Sequence, residues 1–388
     1  MNFTYLSIEN LYFGNNKTRT GGINLDLDKF RPRTDLAVEA REMFVEENPE
    51  KKHELDGIII KEFERGDIKI TRVDVDEEGG KRVNKSPGKY ITIESQQLRD
   101  LQEEFELEAS IVLAKEIELL MKEQNIPKDA RCLIVGLGNG YVTPDALGPH
   151  TINKVHVTSH LFKLQPESVE KGFRSVSAFT PGVMGLTGME TSDIIFGVVD
   201  HTKPDFVIVI DALAARSIER VNTTIQLSDT GINPGSGIGN NRKEVSEKTL
   251  GIPVISIGIP TVVDAVTITN DTIDFILKHF GKEMKEGDKP ANKLAPTGLT
   301  FGEKRTYSEE DLPDEKTRKT YMGIIGSLTV DEKRQLIKEV LSPTGHNLMV
   351  TPKEVDEVIV HLSEVIASGI NQCLHEFITE KNVSQYIK

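Results

Sequence analysis

Apolar residues recur along this chain at two spacings, one helical and one extended. From Ser95 to Glu123, Leu98, Leu101, Phe105, Ala109, Val112, Leu113, Ile117 and Leu120 fall at intervals that line one face of a helix. Ile126-Pro127 stops that pattern. The next run, Arg131 to Val135, is short, almost wholly apolar and rich in β-branched residues, the pattern of a buried parallel strand. Lys154 to Thr158, Ser175 to Phe179, Phe206 to Ile210, Thr223 to Leu227 and Pro253 to Ile257 repeat it, with helical spacing near Met189 to Val199 and Asp271 to Phe280. This alternation predicts an α/β fold, a mostly parallel sheet flanked by helices. Two earlier strands, Ile68 to Val75 and Lys89 to Glu94, are separated by Asp76-Glu77-Glu78-Gly79-Gly80. Turn chemistry there predicts a hairpin or small sheet, a β insertion over about 66–96. A polar stretch, 281–319, reads as a surface excursion. Helices near Thr329 to Val340 and Thr351 to Ser368 carry apolar stripes suited to covering the core or meeting another subunit.

Length and composition narrow the class. The 388 residues suffice for one large α/β domain with insertions or two smaller domains, with a core that needs no staples. Cys132 and Cys373 lack ligand-like spacing, which argues against a disulfide framework and a sulfur-rich zinc site. Cys132, inside an apolar run, reads as a small buried hydrophobe. A net charge of −14 disfavours direct nucleic-acid binding and suits a basic protein partner through long-range steering. The first residues lack a signal-peptide pattern, and no run approaches about 18 uninterrupted apolar residues, so a cytoplasmic protein without membrane contact is expected.

Two strand ends carry the candidate chemistry. The first strand runs into a glycine-rich turn, Gly136 to Pro149, containing Asp145; the fourth runs directly into Asp211. Ligands of open parallel sheets bind beyond the carboxyl ends of strands, so these aspartates, 66 positions apart, can face one crevice. Two carboxyl groups sharing a proton can hydrolyse an amide, one deprotonating the attacking water and the other protonating the leaving nitrogen. Turn residues, caps or ordinary buried carboxylates are the competing reading. Gly136, Gly138 and Gly140 give G-x-G-x-G where a dinucleotide fingerprint needs G-x-G-x-x-G, so the glycines fit a tight turn around a peptide or around Asp145. His150, His156, His160 and His201 lie near the aspartates in sequence, but H-E-x-x-H is absent and Val155-His156-Val157 looks like strand. Neither a metal nor another cofactor is expected. Ser236 lacks the strand-elbow-helix context of a nucleophile and reads as part of a long loop from Asp229 to Asn240.

Several separated motifs together resemble the germination protease, or spore endopeptidase, family. They are Arg33 to Glu39, Cys132 through Pro149, Ile210 to Arg216 and Asp229 to Gly239. The resemblance implies a fold similar to the hydrogenase-maturation peptidase, phosphorylase-like fold, with added β and helical insertions. It implies an autoprocessing, atypical aspartic-type endopeptidase with Asp145 and Asp211 as catalytic carboxylates. It further implies a homotetramer in the developing spore or spore core, with small acid-soluble DNA-binding spore proteins as substrates. The precursor leader would be residues 1–35, with an unmatched extension within 1–25, removed by cutting Asp35–Leu36 ahead of the peptidase domain, 36–388. Leu36-Ala37-Val38-Glu39 looks like the family's substrate core of isoleucine, alanine, serine and glutamate. An acidic substrate calls for basic partners, and Arg216, Arg220, Arg242 and Lys243 are the candidates. The competing functions are a metal-dependent or hydrogenase-maturation-like peptidase, and a non-enzymatic nucleotide-binding or spore structural protein.

Overall fold

The computed structural model describes residues 34–47, 57–100, 102–234, 243–286, 308–341 and 348–387. Arg242, Ser236, most of the expected leader and the middle of the 281–319 stretch lie outside them.

Nine strands among the described residues form one sheet: β1 (Ile58–Arg65), β2 (Ile68–Val75), β3 (Gly88–Glu94), β4 (Cys132–Gly136), β5 (Val176–Phe179), β6 (Phe206–Ala215), β7 (Thr224–Ser228), β8 (Val254–Asp264) and β9 (Met349–Val350). Their order is β1-β2-β3-β7-β8-β6-β4-β5, with β9 added to β8. The strands β8, β6, β4 and β5 run parallel, as the buried β-branched runs predict. Antiparallel pairs from β8 through β7, β3 and β2 to β1 complete a mixed α/β sheet.

One face of the sheet presents Ile134, Ile208, Ile210, Ile225, Leu227, Ile255 and Ile257 to the helices Glu103–Glu123 and Val355–Leu374. At the centre of that layer Leu113 is fully buried against Gly369, where an added Cβ would lie 2.8 Å from a Leu113 methyl. The opposite face is covered by the helix Thr191–Thr202 over Leu133, Val135, Val207 and Val209. None of the described helices is long and apolar enough to cross a membrane. Both cysteines carry thiols pushed above their ordinary pKa by burial, so they are poor nucleophiles.

Three local expectations need correction. The segment from Lys154 to Thr158 is not a strand: the helix Leu147–Lys154 ends there, and the following residues dock on the C-terminal helix. The backbone N–H of His156 donates to Asn371 Oδ1 at 2.8 Å, and its ring packs against Phe173, His375 and Tyr386. Alternating valines there serve a side-chain docking site. β2 and β3 pair antiparallel as expected, but the segment between them forms a short helix, Glu77–Val83, because Asp76 caps it by accepting the N–H groups of Glu78 and Gly79 at 2.9 and 2.8 Å. Asn84 closes it in the left-handed conformation, φ 52°, and delivers Lys85 to the start of the return strand. Third, β6 continues five residues past Ile210, so Asp211 lies inside a strand, opposite Gly258 of β8.

Candidate active site

The register of β6, β8 and β7 defines the floor of the site. Asp211 pairs with Gly258, and Gly258 pairs with Gln226, so the three share one face and one row. Neighbouring strands stand about 4.8 Å apart. Asp211 and Gln226 thus flank a residue that has no side chain. Leu213 leans over the vacated space, its methyls 2.5 and 2.9 Å from where a Gly258 Cβ would sit. Asp211 is buried, and its Oδ1 accepts the Ala212 N–H at 2.9 Å.

Asp145 reaches the same end of the sheet through the glycine-rich turn. β4 leaves the sheet at Gly136, opposite Ile210, and Leu137 N–H donates to the Ile210 carbonyl at 2.8 Å. Gly138 then takes φ +105°, and a Cβ on it would fall 2.0 Å from the Asp145 carbonyl oxygen. Asn139 N–H donates to the Asp145 carbonyl at 3.1 Å and to its Oδ2 at 2.8 Å. The turn is therefore wrapped around Asp145. Thr261, in the bulge of β8 opposite Leu213 and Ala214, donates its hydroxyl to the Pro144 carbonyl at 2.6 Å. That bond ties the turn that carries the half-buried Asp145 to β8.

A peptide from the chain itself lies on this end of the sheet. Asp35 pairs with β6 at Ala214: its N–H donates to the Ala214 carbonyl at 3.1 Å, and its Oδ2 accepts the Ala214 N–H at 2.9 Å. The Asp35 carbonyl oxygen accepts from Lys85 Nζ at 2.9 Å and from Gln226 Nε2 at 3.0 Å. Lys85 Nζ also donates to the Thr34 carbonyl at 2.9 Å. The other end of the Gln226 amide, Oε1, accepts the Ala37 N–H at 2.7 Å. Leu36, fully buried, packs on Leu213, Ala215, Val221 and Val263. Burial lowers the Lys85 pKa from the ordinary lysine value, with Asp35 and Glu39 acting in the opposite sense.

The acidic residue that follows is held as tightly. Glu39, 1% exposed, accepts the backbone N–H groups of Arg216 and Ser217 at 2.7 and 2.9 Å and also bonds the Thr34 hydroxyl. The guanidinium of Arg220 lies 3.6 Å from Glu39, forks onto Glu42 at 2.6 and 2.8 Å, and reaches Glu94 at 2.9 Å. Burial acts to lower the Arg220 pKa, but its bonds to Glu42 and Glu94 prevail and raise it. A cavity of about 560 Å³ opens beside this cluster, lined by Glu39, Glu42, Lys69, Glu94, Arg216 and Arg220 among others.

Of the residues singled out from sequence, Asp211, Asp145, Asp35, Leu36, Arg216 and Arg220 thus come to one end of the sheet. Arg216 contributes its main-chain N–H to Glu39. Lys243 instead pairs with Asp193 on the exposed side of the helix Thr191–Thr202, at 2.8 Å. Lys85 and Gln226 were not anticipated. A glutamine inside the buried run Thr224–Ser228 is itself a signal, because a buried amide needs partners.

The mixed α/β sheet holds residues 34–39 of its own chain against β6, and comparison places the chain among the peptidases. The family model described as germination protease matches residues 37–387. Germination proteases of Bacillus cereus strain 03BB102, Bacillus anthracis strain A0248 and Bacillus mycoides strain KBAB4 are each 60% identical over 362 residues, covering 93% of this chain and 98% of each relative. The chain belongs to the germination protease family. Among solved structures, a nickel–iron hydrogenase maturation protease, HycI, from Thermococcus kodakarensis KOD1 matches 38% of this chain and 80% of its own, at 18% identity and a TM-score of 0.25.

Proposed function

We propose that the chain is an autoprocessing endopeptidase, made as an inactive precursor, that cuts its own Asp35–Leu36 bond and then initiates degradation of small acid-soluble DNA-binding spore proteins during germination. The observation that carries this reading is the placement of residues 34–39 on β6, the strand of Asp211, with the Asp35 carbonyl bonded by Gln226, a member of the Asp211–Gly258–Gln226 row. A segment seated there blocks the site for other peptides until it is cut, which accounts for an inactive precursor.

In this reading the half-buried Asp145 activates the attacking water and the buried Asp211 supplies the proton to the leaving nitrogen. Leu36 fills the apolar pocket for the first residue after the cut. Glu39, the fourth, marks the subsite for the substrate's glutamate, read by the Arg216 and Ser217 N–H groups and Arg220. The proposed enzyme is a homotetramer in the spore cytoplasm, as the resemblance of its motifs implies.

The test follows self-cleavage of the full chain by mass, together with cleavage of an added peptide containing Glu-Ile-Ala-Ser-Glu. Asp145→Asn and Asp211→Asn each reduce both rates by about 10²–10⁴-fold, the usual size of an acid–base contribution. Wild-type rates in both variants would remove the aspartate mechanism. Loss of wild-type activity on adding a chelator would point to a metal-dependent peptidase instead.

A further inference from the structure

Two donors from distant parts of the chain converge on a single carbonyl oxygen. Gln226 comes from β7 and Lys85 from the end of the connection between β2 and β3, and both bond the oxygen of Asp35. We propose that Lys85 and Gln226 are catalytic residues, an electrophilic pair that holds the negative charge developing on the scissile carbonyl oxygen. The proposal rests on the reading that Asp35–Leu36 is the bond cut.

Three features favour this role over a simple latch. The Gln226 amide is oriented by the peptide on both sides of that bond, its Nε2 donating to the Asp35 carbonyl and its Oε1 accepting from Ala37 N–H. The peptide plane is thereby set relative to the row that carries Asp211. The second donor, Lys85 Nζ, reaches the same oxygen at 2.9 Å and is held there by the Thr34 carbonyl as well, and donors fixed in advance where charge develops stabilise it most. Finally, the helix Glu77–Val83 is built to deliver Lys85. Gly80 packs so closely that a Cβ would lie 2.5 Å from the Lys85 carbonyl, and Lys85 N–H donates to the Gly80 carbonyl at 3.0 Å.

The step balances. One water adds to the Asp35 carbonyl carbon and gives a proton to one carboxylate, while the π pair moves onto the oxygen between Lys85 and Gln226. Return of that pair breaks the bond to Leu36, whose nitrogen takes a proton from the other carboxyl group, which enters the step protonated. Asp35 is left with a new carboxyl group and Leu36 with a free amino group.

The experiment uses the full chain carrying Lys85→Met, Lys85→Arg, Gln226→Glu, Asp145→Asn or Asp211→Asn, each verified as folded by its thermal melt. Self-cleavage at Asp35–Leu36 slows by about 10²–10³-fold in Lys85→Met and in Gln226→Glu, the usual loss for one such donor. Lys85→Arg recovers most of the rate. In protein that has cut itself, however slowly, residue 35 no longer needs holding. There the same two variants lose kcat on the added Glu-Ile-Ala-Ser-Glu peptide while KM stays within about threefold, the signature of an interaction made in the transition state. A rise in KM at unchanged kcat would overturn the proposal, since the pair would then only bind peptide. Wild-type self-cleavage in Lys85→Met and Gln226→Glu, with both aspartate variants dead, would also overturn it and leave the aspartate reading standing. Active aspartate variants would instead break the aspartate reading, and should Lys85→Met fail to fold, Gln226→Glu alone decides.

Discussion

The two faces of the sheet, one residue apart along each strand, are composed for different ends. Leu227, Ile257 and Ile210 form a row of three neighbouring strands on one face, fully buried under helices. One step along, Gln226, Gly258 and Asp211 form the corresponding row on the other, and it continues through Thr92 of β3 to Thr71 of β2. The apolar row needs no particular chemistry, only volume and burial. The polar row places groups that need partners where a peptide can supply them. Stability and chemistry thus occupy opposite sides of the same backbone.

Substitutions on the two sides should therefore separate folding from turnover. The largest loss of stability is expected for Leu113→Ala, up to about 5 kcal/mol in denaturant unfolding, because the notch against Gly369 would be left empty. Its activity per folded molecule should match wild type; a comparable fall in both would show that the faces are not independent. Arg220→Ala is expected to cost about 3 kcal/mol, since it strands Glu39, Glu42 and Glu94 together in a partly buried cluster. Arg220→Lys should recover only part of this, for an ammonium cannot fork onto Glu42. An unchanged melting temperature in Arg220→Ala would show that the cluster does not hold residues 39–42.

The smallest effect is confined to acid. Burial, with Arg174 and His156 nearby, lowers the His375 pKa from 6.5 to about 4. Its Nδ1 accepts the Arg174 N–H at 3.2 Å, a bond that protonation would abolish. Folded His375 stays neutral while the unfolded chain takes up a proton below about pH 6.5. Its contribution is thus complete above that pH and lost as the pH falls toward 4, about 2–3 kcal/mol in all. Unfolding measured across this window should show the slope in wild type and a flatter profile in His375→Leu. The site face, far from His375 in sequence, should contribute little to the difference.

Most of the parallel half of the sheet was legible because its strands are buried runs rich in β-branched residues, as in Cys132–Gly136 and Val254–Asp264. The antiparallel edge was not: β1 is largely exposed, and Lys61-Glu62-Phe63-Glu64-Arg65 gives no burial signal. Asp145 and Asp211 could be picked out as candidates because one lies in the glycine-rich turn that leaves a buried strand and the other directly follows an apolar run. Lys85 could not, since its position depends on Asp76 and Asn84 making a capped helix of the apparent turn between two paired strands. Nor could the partnership of Asp211 with Gln226, which exists only through the register of a third strand.

That third strand contributes nothing but hydrogens at Gly258. Leu213 folds into the opening and becomes the surface on which Leu36 rests. A single methyl at position 258 would drive Leu213 upward into the docked chain, so the depth of the groove is set by an omission. A search for reactive groups passes over such a position, yet a change there would shut the groove without touching either acid.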